Sequence, residues 1–445
     1  MSEFRDTFNQ RPLDPKVLES AAGIMLGQKH YAGAYHLLRS AIDSPTLTLR
    51  LQFGLSQVLL AGTTGEPVWR DRGRQVLAAA ARDFPDSAEA LKCYGMVLVE
   101  DGNFEDAEPI LSVALGKDQE QADAWVSLAW CRFVAGDWAG GWDAHERFLV
   151  DRYTTAAKYF HNLEYWDGIP IDENECIRAI GKGGVGDEIM FASMLPDVPH
   201  QLYVECDPRL VRLFQRSFPK AYVTHRKDPY GREIAFLDDG AIPRSVPSPT
   251  SGCFTSTFGR DLRRSAESFP RTPYLVPDPE KVAYWRERLS ALPGKKVGIA
   301  WAGGPVHDWH RRTLHLEDLV QLLDVPGVSW VSLEYLTATE SIQQLAARGI
   351  TVHEFPEAVL AGVDFDETAA LVTALDGVVT MQTAMAHLCG GLGKRAHVLL
   401  PRIPRWWHGM SGRDHPWYGS LVLHRQVGEW PLEEVRRELI EDLTR

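Results

Sequence analysis

From Cys176 to the end of the chain, short apolar runs alternate with amphipathic stretches at helical spacing. A first series of strands and helices, which contains a glycine-rich turn, ends near Pro277. A longer series of the same kind opens at Lys295 and closes with a helix. Strands that alternate with helices indicate a parallel sheet covered on both faces. We therefore predict two Rossmann-like domains, at 151–277 and 278–445, with ligands bound at the carboxyl ends of their strands.

The first third of the chain carries an internal repeat. The segment that begins at Gly102 aligns with the segment that begins at Gly136, and the two lie 34 residues apart. That spacing, with an aromatic residue and small residues in register, is the period of tetratricopeptide (TPR) repeats. We predict about four antiparallel helix pairs over 15–150, in a TPR-like domain at 1–150. Such arrays bind a peptide or protein partner or serve as a packing platform; an unrelated helical bundle is the alternative.

Composition and charge restrict the class of protein. With 445 residues the chain is too long for one core, and its net charge of −13 disfavours nucleic acid and anionic lipid as partners. No apolar run approaches the ~20 residues that span a bilayer, and the N-terminal residues do not resemble a secretory signal. Six cysteines without paired spacing argue against a disulfide framework or a structural zinc site. We expect a cytoplasmic protein without a transmembrane segment.

Several motifs occur in the order found in one enzyme family. They are YWDGIPI, GKGGVGDE, VGIAWAGG, SLE, DETAALVTALDGVVTMQTAMAHLCGGLG and PWYGSLVLHRQ. In this order they resemble bacterial tetratricopeptide-repeat glycosyltransferases, whose catalytic part is similar to the ADP-heptose–lipopolysaccharide heptosyltransferases and has the GT-B fold. The resemblance covers most of 85–445. It implies transfer of a sugar from a nucleotide-sugar donor to a hydroxyl group, without a metal or another cofactor and with inversion at the anomeric carbon.

The glycine-rich turn after the first strand of this part holds the candidate base. It includes Gly184, Gly186, Asp187 and Glu188, and its glycines allow a ligand to approach the backbone. The resemblance implies that Asp187 removes the proton of the acceptor hydroxyl, with Glu188 as the second choice and the two glycines near the acceptor. The alternative is that Asp187 only caps the helix.

A second candidate site joins a strong strand to a helix predicted to begin near Thr383. The resemblance implies that donor phosphate binds here, at Gln382, Thr383, Ala384 and His387, because the hydroxyl and N–H groups of a first helical turn attract an anion. A structural role is the alternative for a single helical histidine. The family usually has Asp where this chain has Gln382, and Gly where it has Ala384. These two departures favour a non-catalytic protein as the rival interpretation.

Further donor contacts are expected after the strand VGIAWAG. Gly303 and Gly304, followed by Arg311 and Arg312, suit a pyrophosphate clamp, because guanidinium groups bind phosphate through two hydrogen bonds at once. A solvated loop is the alternative for either arginine. The resemblance also suggests that Glu334, at the end of the strand VSWVSLE, contacts the nucleoside.

Two patterns resemble metal sites, and neither predicts one. His307 and His310 have the spacing of a ligand pair, but no third ligand motif converges with them. Asp364 and Asp366 spell the D-x-D of metal-dependent glycosyltransferases, but they directly precede a predicted helix, where capping explains them better. We therefore predict no metal ligand.

The expected function is sugar transfer to an acceptor that the repeats recruit, and a protein acceptor is our first choice. A lipid-linked or oligosaccharide acceptor stays open. So do two other functions: a non-catalytic scaffold that binds a protein partner through its repeats, and a nucleotide-sugar epimerase on the same fold. Release of free nucleotide separates a transferase from an epimerase, because epimerisation leaves the nucleotide attached.

Overall fold

The computed structural model describes residues 14–39, 46–64, 66–149, 163–168, 175–226, 248–303, 309–336, 338–360 and 362–444. A division between Cys131 and Arg132 separates two compact units. In the part of the chain that the structure describes, none of the helices has the length and apolarity needed to cross a lipid bilayer. All six cysteines are buried, and no disulfide joins any two of them.

The first unit consists of consecutive helices. In chain order they are α1 (Pro15–Gly27), α2 (Tyr31–Leu38), α3 (Leu47–Thr64), α4 (Pro67–Asp83), α5 (Ala88–Asp101), α6 (Phe104–Lys117) and α7 (Ala122–Val134), within which the division falls. The next helix, α8 (Trp138–Leu149), belongs to the second unit. The starts of α5 and α7 are 34 residues apart, and so are those of α6 and α8. The predicted TPR-like helix pairs are therefore confirmed.

Small residues allow the paired helices α5 and α6 to approach closely. Ala107 and Ala114 of α6 are fully buried. A Cβ atom on Gly95 of α5 would come within 2.7 Å of the Leu111 side chain, so glycine is needed there. Gly102 ends α5 with a φ of 82°, a left-handed conformation that favours glycine after a helix. The repeat signal read from these positions therefore reflects packing between helices.

The last helix of the repeat series, α8, packs within the second unit through aromatic side chains. Trp142 is buried, and its indole N–H donates to the carbonyl oxygen of Arg263 at 2.8 Å. Phe133, at the end of α7, stacks on Trp406 with ring centroids 3.9 Å apart. Trp417 is also buried in this cluster, 6.4 Å from Trp142 by ring centroids. Packing is thus the role of Trp406 and Trp417 in this structure.

The first sheet of the second unit is wholly parallel. Its strands are β1 (Glu164–Tyr165), β2 (Cys176–Ile180), β3 (Gln201–Cys206), β4 (Tyr222–His225) and β5 (Pro249–Phe254), in the spatial order β1-β5-β2-β3-β4. The helices between them are α9 (Val185–Ala192), α10 (Val211–Ser217) and, after β5, α11 (Gly259–Leu262). Strands β2, β3 and β4 are the ones that the sequence predicts.

The second sheet is also parallel. Its strands are β6 (Lys295–Ala300), β7 (Val328–Ser332), β8 (Val352–His353), β9 (Gly377–Met381), β10 (Ala396–Leu400) and β11 (Leu421–Arg425). They lie in the order β11-β10-β9-β6-β7-β8, which is the order of a doubly wound sheet. The associated helices are α12 (Pro279–Ser290), α13 (Leu316–Leu323), α14 (Thr339–Ala346), α15 (Pro356–Val359), α16 (Phe365–Ala374), α17 (Ala384–Leu392) and α18 (Leu432–Thr444). The predicted α/β class is confirmed.

Ion pairs centred on one buried carboxylate join the helices of the two sheets. Arg216 of α10 donates to both carboxylate oxygens of Asp366 on α16, at 2.5 and 3.1 Å, and Asp366 is 1% exposed. Arg216 also lies 3.2 Å from Asp278, and Lys281 lies 3.6 Å from Asp366. The two sheets thus belong to one compact unit.

Candidate functional site

The predicted site residues follow the carboxyl ends of central strands. In the second sheet β6 pairs with β7 on one side and with β9 on the other, so the strand order reverses between β6 and β9. Doubly wound sheets bind their ligands at such a reversal. Gly303 follows β6, and Gln382 and Thr383 follow β9. In the first sheet the glycine-rich turn follows the central strand β2.

The glycine-rich turn holds Asp187 at the start of α9. Gly184 is the N-cap residue, and its backbone N–H donates to Asp187 Oδ2 at 2.8 Å. Gly183, with a φ of 96°, has no room for a Cβ atom, which would come within 2.4 Å of the same oxygen. Burial raises the pKa of the half-buried Asp187 carboxyl, whereas the Gly184 N–H and the charge of Arg405 lower it. The capping role is thus present, and the charge of Arg405 favours the ionised carboxylate.

Glu188 is held in a buried ion pair. Its Oε1 lies 2.6 Å from Arg226 Nη1, and its Oε2 accepts the backbone N–H of Asp207 at 2.7 Å. The side chain is 2% exposed. Burial raises the pKa of this carboxyl, and the Arg226 charge opposes that effect. Glu188 therefore anchors the turn to the neighbouring strand rather than offering a second base.

The second candidate site is the start of α17. Thr383 is its N-cap residue, as predicted, and its hydroxyl accepts the backbone N–H of Met385 at 3.3 Å. A Cβ atom on Gly186 would lie 3.1 Å from Ala384 Cα and 3.2 Å from His387 Cδ2. The turn that carries Asp187 therefore lies directly against the first turn of α17.

His387 is buried one turn into α17. Its Nδ1 lies 3.0 Å from the hydroxyl oxygen of Tyr418, and the ring is 4% exposed. Burial lowers the pKa of His387 to about 3, so the ring is neutral at physiological pH. The Tyr418 hydroxyl also hydrogen-bonds to Tyr274, whose own hydroxyl donates to the Ile189 carbonyl oxygen at 2.7 Å, so Tyr418 donates to Tyr274 and accepts from His387 Nδ1. The ring proton of His387 therefore lies on Nδ1, and Nε2 is left as an acceptor.

Gln382 connects the strand end to two arginines. Its side-chain oxygen accepts the backbone N–H of Arg405 at 3.1 Å, and its carbonyl oxygen lies 3.4 Å from Arg312 Nη1. Gln382 is buried, so these contacts are fixed inside the protein. No motif in the sequence marks Arg405, because a neighbouring loop brings this residue to the site. Arg312 thus lies beside the Gln382 backbone, and its contact with donor phosphate stays a prediction.

The turn after β6 is held by Glu334. The Glu334 carboxylate accepts the backbone N–H groups of Trp301 and of Ala302, the latter at 2.8 Å. It is 5% exposed, and burial raises its pKa to about 7, against the effect of the two N–H groups. The Gly303 N–H donates to the Thr313 hydroxyl at 3.3 Å. In this structure Glu334 positions the backbone of the turn.

The other residues singled out in the sequence lie at the surface, at a helix start or outside the described residues. Arg311 is exposed. Gly304 and His307 lie outside the described residues, as does the side chain of His310. Asp364 is the N-cap residue of α16 and accepts the Asp366 N–H at 3.0 Å, which confirms the capping interpretation of the D-x-D pattern.

The comparisons with known proteins reach most of the chain. No family model matches it. Protein FlbA of Caulobacter vibrioides is 29% identical over 369 residues, which are 78% of this chain and 60% of that protein. The chain thus spans less than two thirds of that relative's length.

Solved structures of TPR proteins align with parts of the chain. TTC0263, a TPR protein of Thermus thermophilus, is 19% identical with a TM-score of 0.30 and covers 34% of this chain and 79% of its own. YrrB, described as a TPR protein with an unusual peptide-binding site, is 15% identical with a TM-score of 0.25, covering 30% of this chain and 67% of its own.

Proposed function

We propose that this chain is a metal-independent glycosyltransferase of the GT-B type. It moves a sugar from a nucleotide-sugar donor to a hydroxyl group of a protein that the TPR-like helix pairs recruit. The observation that carries this proposal is the contact between the two candidate motifs. A Cβ atom on Gly186, next to Asp187, would lie only 3.1 Å from Ala384 Cα and 3.2 Å from His387 Cδ2. A base and a helix N-terminus able to hold phosphate therefore lie side by side, as one displacement reaction requires.

In the proposed reaction the acceptor oxygen attacks the anomeric carbon of the donor sugar. Asp187 takes the hydroxyl proton, and the bond from the anomeric carbon to the diphosphate oxygen breaks with its electron pair on the nucleotide diphosphate. The N–H groups at the start of α17, the Thr383 hydroxyl and the guanidinium of Arg312 stabilise the charge on the departing phosphate. A single displacement of this kind inverts the anomeric carbon.

Three contacts favour the scaffold as the second candidate. Asp187, Thr383 and Glu334 each accept backbone N–H groups of their own or a neighbouring turn. A protein that binds partners only through its repeats would keep these contacts for folding alone. The two functions can be separated by experiment, because only the transferase binds a donor and then releases free nucleotide.

The test uses the full chain with a panel of nucleotides and nucleotide sugars. A ligand at a hundred times its dissociation constant adds about 2.7 kcal/mol to the free energy of unfolding, so a thermal-shift screen will detect a donor. Thr383→Ala should weaken that shift. Asp187→Asn is the sharper variant, because the asparagine oxygen can still cap Gly184 while it cannot take a proton. We expect Asp187→Asn to bind donor with wild-type affinity and to lose transfer.

Three outcomes would contradict the proposal. No shift with any donor, or full turnover by Asp187→Asn with a verified donor and acceptor, would rule out the proposed chemistry. Epimerised donor with its nucleotide still attached would identify an epimerase instead.

A further inference from the structure

Two buried histidines face each other beneath the C-terminal helix. His397 lies on β10 and His424 on β11, and each is 1% exposed. His397 Nδ1 and His424 Nε2 are 3.0 Å apart. Glu438 of α18 lies beside them, with its Oε2 3.8 Å from His424 Nε2. One atom from each of the three residues therefore converges on a single point.

The outer nitrogen of each ring faces another carboxylate of the same helix. Glu434 Oε1 lies 3.2 Å from His424 Nδ1, and Asp442 Oδ2 lies 3.3 Å from His397 Nε2. Glu434, Glu438 and Asp442 recur every four residues, so one face of α18 carries all three. A carboxylate behind each imidazole is the usual second layer of a histidine-bound metal ion.

A proton count shows what these contacts need. A neutral imidazole carries one proton, which lies on one of its two ring nitrogens. His424 uses its proton at Nδ1 toward Glu434, and the proton of His397 then lies on Nδ1, between the rings. Nε2 of His397 is left with a lone pair toward the Asp442 carboxylate, and it makes no hydrogen bond. The two rings together have two protons, but there are three contacts that each need one: His424 with Glu434, His397 with His424, and His397 with Asp442.

We propose that His397, His424 and Glu438 bind a divalent transition-metal ion, with Zn²⁺ as the best match. An ion between the facing nitrogens lets both protons lie outward, so that His424 donates to Glu434 and His397 donates to Asp442. Two bonds of about 2.0–2.1 Å to one ion are compatible with the nitrogen separation of 3.0 Å. Two imidazoles and a carboxylate are ligands that zinc accepts.

Two arginines adjust the charge of this cluster. Arg413 contacts Glu438 and lies 3.2 Å from Glu434, and Arg395 lies 2.7 Å from Asp442. Because Arg413 pairs with the carboxylate oxygen that would bind the ion, the two cations compete for Glu438. A cavity of about 280 Å³ borders the cluster on the side of Asp442, which brings solvent close to the ligands.

The experiment titrates Zn²⁺ into tag-free full-length protein that has been stripped with a chelator, and follows binding by calorimetry. We expect one strong site per chain and a higher melting temperature with Zn²⁺. Glu438→Gln should weaken binding by roughly tenfold or more, and Arg413→Gln should tighten it. Glu441→Gln, at an exposed position of the same helix, is the matched control and should bind as the wild type does.

Cobalt provides a second readout that a surface site would not give. The visible absorption of Co²⁺ is much stronger in a tetrahedral protein site than in a hydrated surface site, and we expect strong absorption in the wild type and in Glu441→Gln but weaker absorption in Glu438→Gln. Circular dichroism in chelator checks that each variant is folded. Absence of Zn²⁺ binding by the wild type would overturn the proposal, and so would unchanged affinity in folded Glu438→Gln. Neither result depends on the proposed sugar transfer.

Discussion

The side-chain oxygen of Gln382 accepts the backbone N–H of Arg405 at 3.1 Å. Through this bond a buried residue of the donor motif holds the segment that carries Arg405, whose charge in turn lowers the pKa of Asp187. Gln382, which stands where the resembled family usually has Asp, therefore contributes to the environment of the candidate base.

Replacing Arg405 with glutamine should change the pH dependence of transfer. The variant keeps the backbone N–H for Gln382 and removes the charge that lowers the pKa of Asp187. A base works only when it has lost its proton, so a higher pKa moves the acidic limb of kcat/KM to higher pH. Arg402→Gln, at an exposed position of the same segment, is the control and should leave the profile unchanged. A profile of Arg405→Gln that coincides with the wild type would contradict this assignment.

Gly186→Ala should destabilise the second unit. The new methyl group would lie 3.1 Å from Ala384 Cα, which is backbone and cannot rotate away. Overpacking typically costs about 1–3 kcal/mol, which outweighs the gain of up to about 1 kcal/mol from alanine in a helix. At Gly116 of α6 nothing lies within 4 Å of the added atom, so Gly116→Ala should be neutral or stabilising. Urea denaturation measures both, and equal effects would refute the contact.

Glu334→Gln should flatten the pH dependence of stability. The folded protein holds the Glu334 proton up to about pH 7, above the ordinary value of 4.5. This contribution to stability is full below pH 4.5 and is lost as the pH rises through 7, by about 3 kcal/mol in all. Glutamine still accepts both N–H groups but does not titrate. Free energies of unfolding measured across this range should fall with pH in the wild type and in Glu441→Gln, and less in Glu334→Gln.

Arg216→Ala should cost about 3 kcal/mol of stability, because it leaves the buried Asp366 with the more distant Lys281 as its cation. Arg348→Ala breaks the exposed pair with Glu317 and should have no measurable effect. Denaturation of both variants tests this difference, and a loss no larger for Arg216→Ala than for Arg348→Ala would show that the buried pair is unimportant.

The sequence predicted those elements whose signal is local. Strands such as β2, β6 and β9 are apolar runs next to a turn or a helix cap, and Thr383 starts its helix as expected. Strand β5 was not predicted, because the run PTSGCF has neither alternation nor an apolar core. Strand β11 was not predicted either, because LVLHR is a short apolar run and its periodicity fits a strand and a helix equally well.

Sequence patterns do not predict contacts between residues that are far apart in the chain. Neither the bond of Tyr418 to His387 nor the position of Arg405 follows from a motif. His397, His424 and Glu438 have no ligand spacing in the sequence, and only the pairing of β10 with β11 under α18 brings them together. By contrast, the role of Asp187 as the base is still a prediction from resemblance.

The tight contact between Gly186 and Ala384 has an evolutionary consequence. A Cβ atom on Gly186 would lie only 3.1 Å from Ala384 Cα, so we expect a larger residue at either position to crowd the other. Random mutagenesis of both codons, followed by selection for folded protein, should recover pairs of small residues far more often than single-site tolerance predicts. Substitutions at Gly186 and Ala384, almost 200 positions apart in the chain, should then be correlated during evolution.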